Sequence, residues 1–321
     1  MVESAAVEDA LEPALRRMKL PLRPIEALTG IRSRRFWEPG EPVHAVAARA
    51  GRLALDRAGV RADQVGVLIS TSVSREYLEP STASVVHGLL GMPSECRNFD
   101  VSNACLGFLD GMTLAGQLIE ARAVDYALVV AGESAEPILQ KTIKGLLGPE
   151  VKSQDFWSQF ATLTLGSAAV GMVLTHARHS RTDHRVEGLC TRADTANSHL
   201  CRGTFDRMET DSIRLLRAGV ELARRCWSAA TEELEDWHPA AFSQFICHQV
   251  GKAHMAAIAD ALNIPQDRCF ASYPFLGNVG PAAVPITLQM AVDQGALRRG
   301  ERAALMGIGS GLNVTMMSVR W

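Results

Sequence analysis

One order of elements is written twice in this chain, and that repetition limits the fold more than any other feature. Residues 97–122, RNFDVSNACLGFLDGMTLAGQLIEAR, read as a strand, a small polar turn and a helix, followed by the apolar strand ALVVAGESA at 127–135. Residues 269–295, CFASYPFLGNVGPAAVPITLQMAVDQG, give strand, tight turn and helix again, followed by AALMGIGSG at 303–311. What precedes each copy also matches. A helical pattern over 44–59 leads to the strand VGVLIS at 65–70, and one over 215–234 leads to the strand FSQFICHQV at 242–250. Unbroken apolar strands alternating with helices, here with a further one at 163–174, belong to a mostly parallel sheet covered on both faces. At 321 residues the chain exceeds what one core usually organises. The repeat therefore predicts an α/β protein of two similar lobes, 1–176 and 177–321, divided in the polar run HARHSRTDHR.

Several function classes drop out. A formal net charge of −2 without a long basic run gives no support to nucleic-acid or anionic-membrane binding. The first twenty residues carry acids and no apolar core of a signal, and the most apolar segment, 161–174, is too short to span a bilayer. Seven cysteines, an odd count with no CxxC pair, predict free thiols in a cytoplasm. His176, His179 and His184 lie in a polar run and are expected to hold no metal. MGIGSGLN, 306–313, lacks a phosphate-binding pattern and predicts close backbone approach to another group. The insertion 140–160 is expected to be helical and to line an entrance or a dimer contact.

Functional residues of open α/β sheets gather at the carboxyl ends of strands. The pattern puts Cys105, His248, Asn278 and the 309–311 loop there. Cys105 falls at the start of a helix, where unpaired N–H groups and the macrodipole favour a thiolate. Taken singly, each residue also has an ordinary reading: a packed cysteine, a core or cap histidine, a turn asparagine. Together, a nucleophilic thiol with two N–H donors aimed at one oxygen would make an acyl-transfer site. Glu79 lies in a loop before a helix capped by Ser81 or Thr82, and by itself reads as a solvated acid.

The stretches NAC, HQV, GNVGPAAVP and GIGSGLN, in that order, resemble thiolase-superfamily condensing enzymes of the ketoacyl synthase III type. The resemblance runs from TGIRSRRFW at 29–37 to the last residue, and implies a thiolase-like fold of αβαβα layers. Cys105, His248 and Asn278 stand at the family's Cys–His–Asn positions. STSVSREYLEPSTASVVHGLLG is similar to the enzymes that join two fatty acyl-CoAs head to head in olefin and β-lactone biosynthesis. That similarity implies a non-decarboxylative Claisen condensation in a homodimer, with acyl-CoA as substrate and no cofactor. It makes Glu79 the α-proton base acting in the partner subunit's site, and adds the backbone N–H of Ser310 to an oxyanion hole. Lys252 is a possible CoA contact. The family's opening strand and its adenine-gripping tryptophan and arginine have no match. A ketoacyl synthase III using malonyl-carrier protein, a hydroxymethylglutaryl-CoA synthase and a non-catalytic subunit of a heterodimer stand as alternatives.

Overall fold

A computed structural model describes all 321 residues. Two four-stranded sheets carry the fold. The first contains β1 (Val67–Ser70), β2 (Arg97–Asp100), β3 (Tyr126–Glu133) and β4 (Ala168–Thr175), in the order β2-β1-β3-β4. The second contains β5 (Arg185–Ala193), β6 (Gln244–Cys247), β7 (Arg302–Gly309) and β8 (Asn313–Arg320), in the order β6-β7-β8-β5. In each sheet a parallel pair, β1–β3 or β6–β7, is followed by an antiparallel one, β3–β4 or β7–β8.

Side-chain alternation shows why both faces of each sheet are covered. Val67, Ile69, Ala127, Val129 and Ala131 point into one core, while Leu68, Leu128 and Val130 point into another. That second core is closed by the helices α2 (Val43–Ala58) and α3 (Thr82–Leu90). On the other face lies α4 (Gly107–Glu120), whose stripe Phe108, Met112, Ala115 and Ile119 follows helical spacing. In the second sheet Ile246, Ala303 and Leu305 face this same core, with Phe245, Cys247, Ala304 and Met306 on the far side under α5 (Ser212–Glu233) and α6 (Lys252–Leu262). Helix α7 (Ala283–Asp293) lies beside α4 between the sheets. The result is five layers, αβαβα, the thiolase-like arrangement.

The structure departs from the expected repeat at four places. Residues 269–272, expected as a strand, join no ladder. The buried Gln249 side chain takes the ladder's place, donating to Cys247 O at 2.8 Å and Phe270 O at 3.3 Å and accepting from Ser272 N at 3.0 Å and Tyr273 N at 3.2 Å. The strand expected over 242–250 is confined to Gln244–Cys247, and His248 adds one last backbone bond to β7 before its side chain enters the site. In the first half, the strand expected over 163–174 opens only at Ala168, and 160–164 forms a tight 3-10 turn. Strand β5 has no counterpart in the first sheet; near the N-terminus only Val2–Glu3 pairs, with Ser33–Arg34. The segment 140–160 is helical over Glu136–Leu146 and Ser153–Gln159, as expected, but its middle forms no wall of the central cavity. Leu139, Leu146 and Phe156 pack instead on Leu11 and Leu15 of the N-terminal helix α1 (Ser4–Arg17). No helix is long and apolar enough to cross a membrane.

Candidate active site

The carboxyl ends of β1, β2, β3, β6 and β7 converge on one cavity of about 1060 Å³. Pockets for a single small ligand run to about 1,000 Å³, so the space suits long chains. Cys105, His248, Asn278 and Ser310 all open into it.

Cys105 stands on a sharp turn between β2 and α4. Ala104 before it adopts φ 47°, a left-handed conformation unusual for a residue with a Cβ. The turn is held by Asn103, whose amide donates to Asp110 Oδ2 at 2.6 Å and whose side-chain oxygen accepts from Asn313 Nδ2 at 3.0 Å. Gly309 lets strand β7 close on it: a Cβ there would lie 2.8 Å from Asn103 O and 3.1 Å from Leu106 Cβ. That is the backbone approach foreseen for the 306–313 run.

The charge state of Cys105 differs from the sequence expectation. Burial pushes its thiol up to about 12, and the nearby Glu133 and Cys201 act in the same direction. Helix α4 begins at Gly107 with Leu106 as its cap, so Cys105 lies outside the first turn and desolvation outweighs the dipole. The resting nucleophile is a thiol, and it must lose its proton as it attacks.

His248 extends the β6–β7 pairing through its N–H to Met306 O, 2.9 Å, and then points into the cavity. Burial, with His254 nearby, lowers its imidazole to about 3, so the ring is neutral. Its Nδ1 is buried without a partner. An unpaired N–H there would cost more than an unpaired lone pair, so the single ring proton belongs on Nε2. Asn278 is clamped against the segment 164–166: its N–H donates to Thr164 O and its carbonyl accepts from Gly166 N, both at 2.9 Å. Its side-chain oxygen accepts from Gly280 N at 3.0 Å, which leaves the amide nitrogen as the free donor. The fully buried Arg34 braces this clamp from behind, donating to Leu163 O and, at 2.7 Å, to Ser4 Oγ.

A Cβ on Gly166 would meet Leu276 O at 1.9 Å. Gly166→Ala is expected to cost about 3 kcal/mol and to displace Asn278. Urea unfolding checks the first effect and condensation rate the second.

Glu79 is exposed and forms no part of its own chain's cavity wall. Lys252 is also exposed, at the start of α6; its neighbours Gly251 and Ala253 line the cavity but it does not. Ser81 is the cap of α3, accepting from Ser84 N at 3.1 Å. Three cavity residues were not foreseen: His254, lowered to about 4 by burial, Cys201, and Glu133. Glu133 closes β3 directly after an apolar run, so the strand-end rule that selected Cys105 would have found it.

The chain is 40% identical over 318 residues to the acyl-CoA:acyl-CoA alkyltransferase of Xanthomonas campestris, across 99% of this chain and 94% of that one. Sequence models of 3-oxoacyl-[acyl-carrier-protein] synthase III match residues 99–194, and of its C-terminal part residues 233–321. The chain belongs to the acyl-CoA:acyl-CoA alkyltransferase branch of that synthase III family. Another alkyltransferase relative, from Shewanella oneidensis, is 34% identical across 100% of this chain and 95% of its own. Synthase III proper is more distant: that of Sphingopyxis alaskensis is 28% identical over 88% of this chain and 85% of its own. The solved Xanthomonas campestris OleA with bound lauric acid and lauroyl-CoA superposes with a TM-score of 0.97 at 39% identity, covering 100% of this alkyltransferase-family chain and 95% of its own.

Proposed function

We infer that the protein condenses two fatty acyl-CoAs without decarboxylation, through an acyl group held on Cys105. The observation that carries this reading is a half-buried thiol, a neutral imidazole and a free amide donor opening into one chain-sized cavity. In the first step the Cys105 sulfur attacks an acyl-CoA carbonyl. The C–S bond to CoA breaks, and the thiol proton leaves with the departing CoA sulfur. The N–H groups of Cys105 and Ser310 hold the oxyanion. A second acyl-CoA then loses its α-proton to Glu79. Its enolate oxygen is held by His248 Nε2–H and the Asn278 amide. The carbanion attacks the thioester, the C–C bond forms, the bond to Cys105 breaks, and the proton on Glu79 returns to the sulfur. The product is a 2-alkyl-3-ketoacyl-CoA, the precursor that a pathway to long-chain olefins requires.

Glu79 acts in the partner subunit of a homodimer. The first of two features supports that placement, and the second supports the functional role of Glu79 itself. The loop carries exposed apolar side chains, Val73, Tyr77 and Leu78, the last 79% exposed, and the neighbouring edge strand β2 is paired on one side alone. Solved variants of the Xanthomonas campestris protein alter one cysteine, one glutamate and one histidine. The glutamate precedes the cysteine by 26 positions, the separation of Glu79 and Cys105, and the histidine follows it by 142, against 143 between Cys105 and His248. In this reading residues 1–176 form the lobe of Cys105 and Glu79, and 177–321 the lobe of His248 and Asn278. CoA enters past Lys252 at the outer rim. The chemistry needs no cofactor, since the thioesters supply the activation, and seven unpaired cysteines suit a cytoplasmic enzyme.

Purified protein given myristoyl-CoA alone is expected to release CoA and yield a long-chain ketone after hydrolysis and decarboxylation of the product. Turnover that requires malonyl-carrier protein would reassign the chain to synthase III proper. Silence until a second polypeptide is supplied would make it a subunit of a heterodimer.

A further inference from the structure

Glu133 is a carboxylate at 6% exposure in the cavity wall, with no Lys or Arg in ion-pair contact. Burial pushes it up to about 7. Such a group is costly to bury unless its oxygens are well satisfied. The three donors it finds all belong to two consecutive residues: Val73 N at 2.7 Å, Ser74 N at 3.1 Å and Ser74 Oγ at 2.7 Å. Ser74 in turn accepts from Ser134 N at 3.2 Å, so the anchor is reciprocal. Val73 and Ser74 open the loop that ends at Glu79. The loop is fastened again midway, where Glu76 accepts from Val43 N and meets His44 Nδ1 at 3.1 Å. Its far end is fixed where Asp100 accepts from Thr82 N and Ala83 N at 3.0 and 2.8 Å. Between these points Tyr77, Leu78 and Glu79 stand exposed. The titratable groups acting on Glu133 are Arg75 of the same loop and Cys105 across the cavity.

We propose that Glu133 is a positioning residue that sets the loop carrying Glu79, so that a carboxylate in one subunit's cavity determines how well the base is presented to the other subunit's cavity. Glu133 does not serve as the base itself, because its oxygens are already engaged by three loop donors. The ionised form matches those donors; an amide would turn an N–H₂ group against at least one of them. The proposal rests on the reading that Glu79 acts across the dimer, and the test separates the two.

Four heterodimers, purified through two different tags, are compared with myristoyl-CoA. The reference pairs a Glu79→Ala chain with a Cys105→Ala chain, leaving one site with Cys105 from the first and Glu79 from the second. Placing Glu133→Gln in the Cys105→Ala chain, which donates Glu79, is expected to lower condensation tenfold or more. The same substitution in the Glu79→Ala chain, which carries Cys105, is expected to lower it at least tenfold less severely. Glu133→Asp in the Glu79-donating chain, which keeps the charge, is expected to recover part of the loss. Equal losses in both arrangements would show a general structural role and overturn the proposal. So would a larger loss when the substitution accompanies Cys105. An inactive reference heterodimer would instead overturn the cross-subunit reading, and the proposal with it.

Discussion

Cys105→Ala should form no acyl adduct with any acyl-CoA and should lose condensation by about 10⁴-fold or more, since the covalent route disappears with the nucleophile. The fold should survive. Cys105 is half-buried at a cavity wall, and the turn beneath it is held by Asn103, Asp110, Asn313 and the close approach of Gly309, none of which needs the sulfur. Its urea midpoint should therefore stay near that of the parent, which separates a chemical loss from a structural one. Cys105→Ser should behave almost as badly. A serine hydroxyl is a weaker nucleophile than sulfur, and the neutral His248, lowered to about 3, is a poor base to activate it.

Glu79→Ala carries the next largest effect, and it should divide the reaction in two. Acylation of Cys105 needs no α-proton removal, so one CoA per subunit should still be released. Condensation should fall by about 10²–10⁴-fold, the range for a positioned general base. Mixing this variant with Cys105→Ala tests where the base acts. Random reassortment makes half the dimers mixed, each with one complete site, so about a quarter of the parental activity should return if the sites are shared across a two-fold axis. No recovery from two variants that demonstrably exchange subunits would confine Glu79 to its own chain. Equal loss of acylation and condensation in Glu79→Ala would remove the base role.

The parts of this site legible in the sequence are those set by local order. Cys105, His248 and Asn278 each follow a buried strand or mark a tight turn before a helix, and the repeat brings those positions to one edge. The glycines of 307 and 309 announced a close approach, and Leu106 and Asn103 are what they approach. What escaped were tertiary properties. The direction of the Cys105 shift depends on how completely the cavity desolvates it, which helix position alone does not reveal. The missing strand at 269–272 is replaced by one side chain, Gln249, and a hydrophobic pattern carries no sign of that exchange. Glu133 sat in plain view at a strand end, but its purpose depends on donors 59 and 60 residues away in the chain. Glu79 is the opposite case. Family resemblance drew attention to it, while a single chain leaves it exposed and outside the cavity.

Intact-protein mass spectrometry after mixing the parent protein with myristoyl-CoA, followed by peptide mapping, tests the whole scheme most directly. One myristoyl adduct per chain, located on Cys105 and discharged into ketoacyl product when more acyl-CoA is added, is the predicted result. Turnover to the same product with no adduct at Cys105, or with the acyl group carried on another residue such as Cys201, would contradict it.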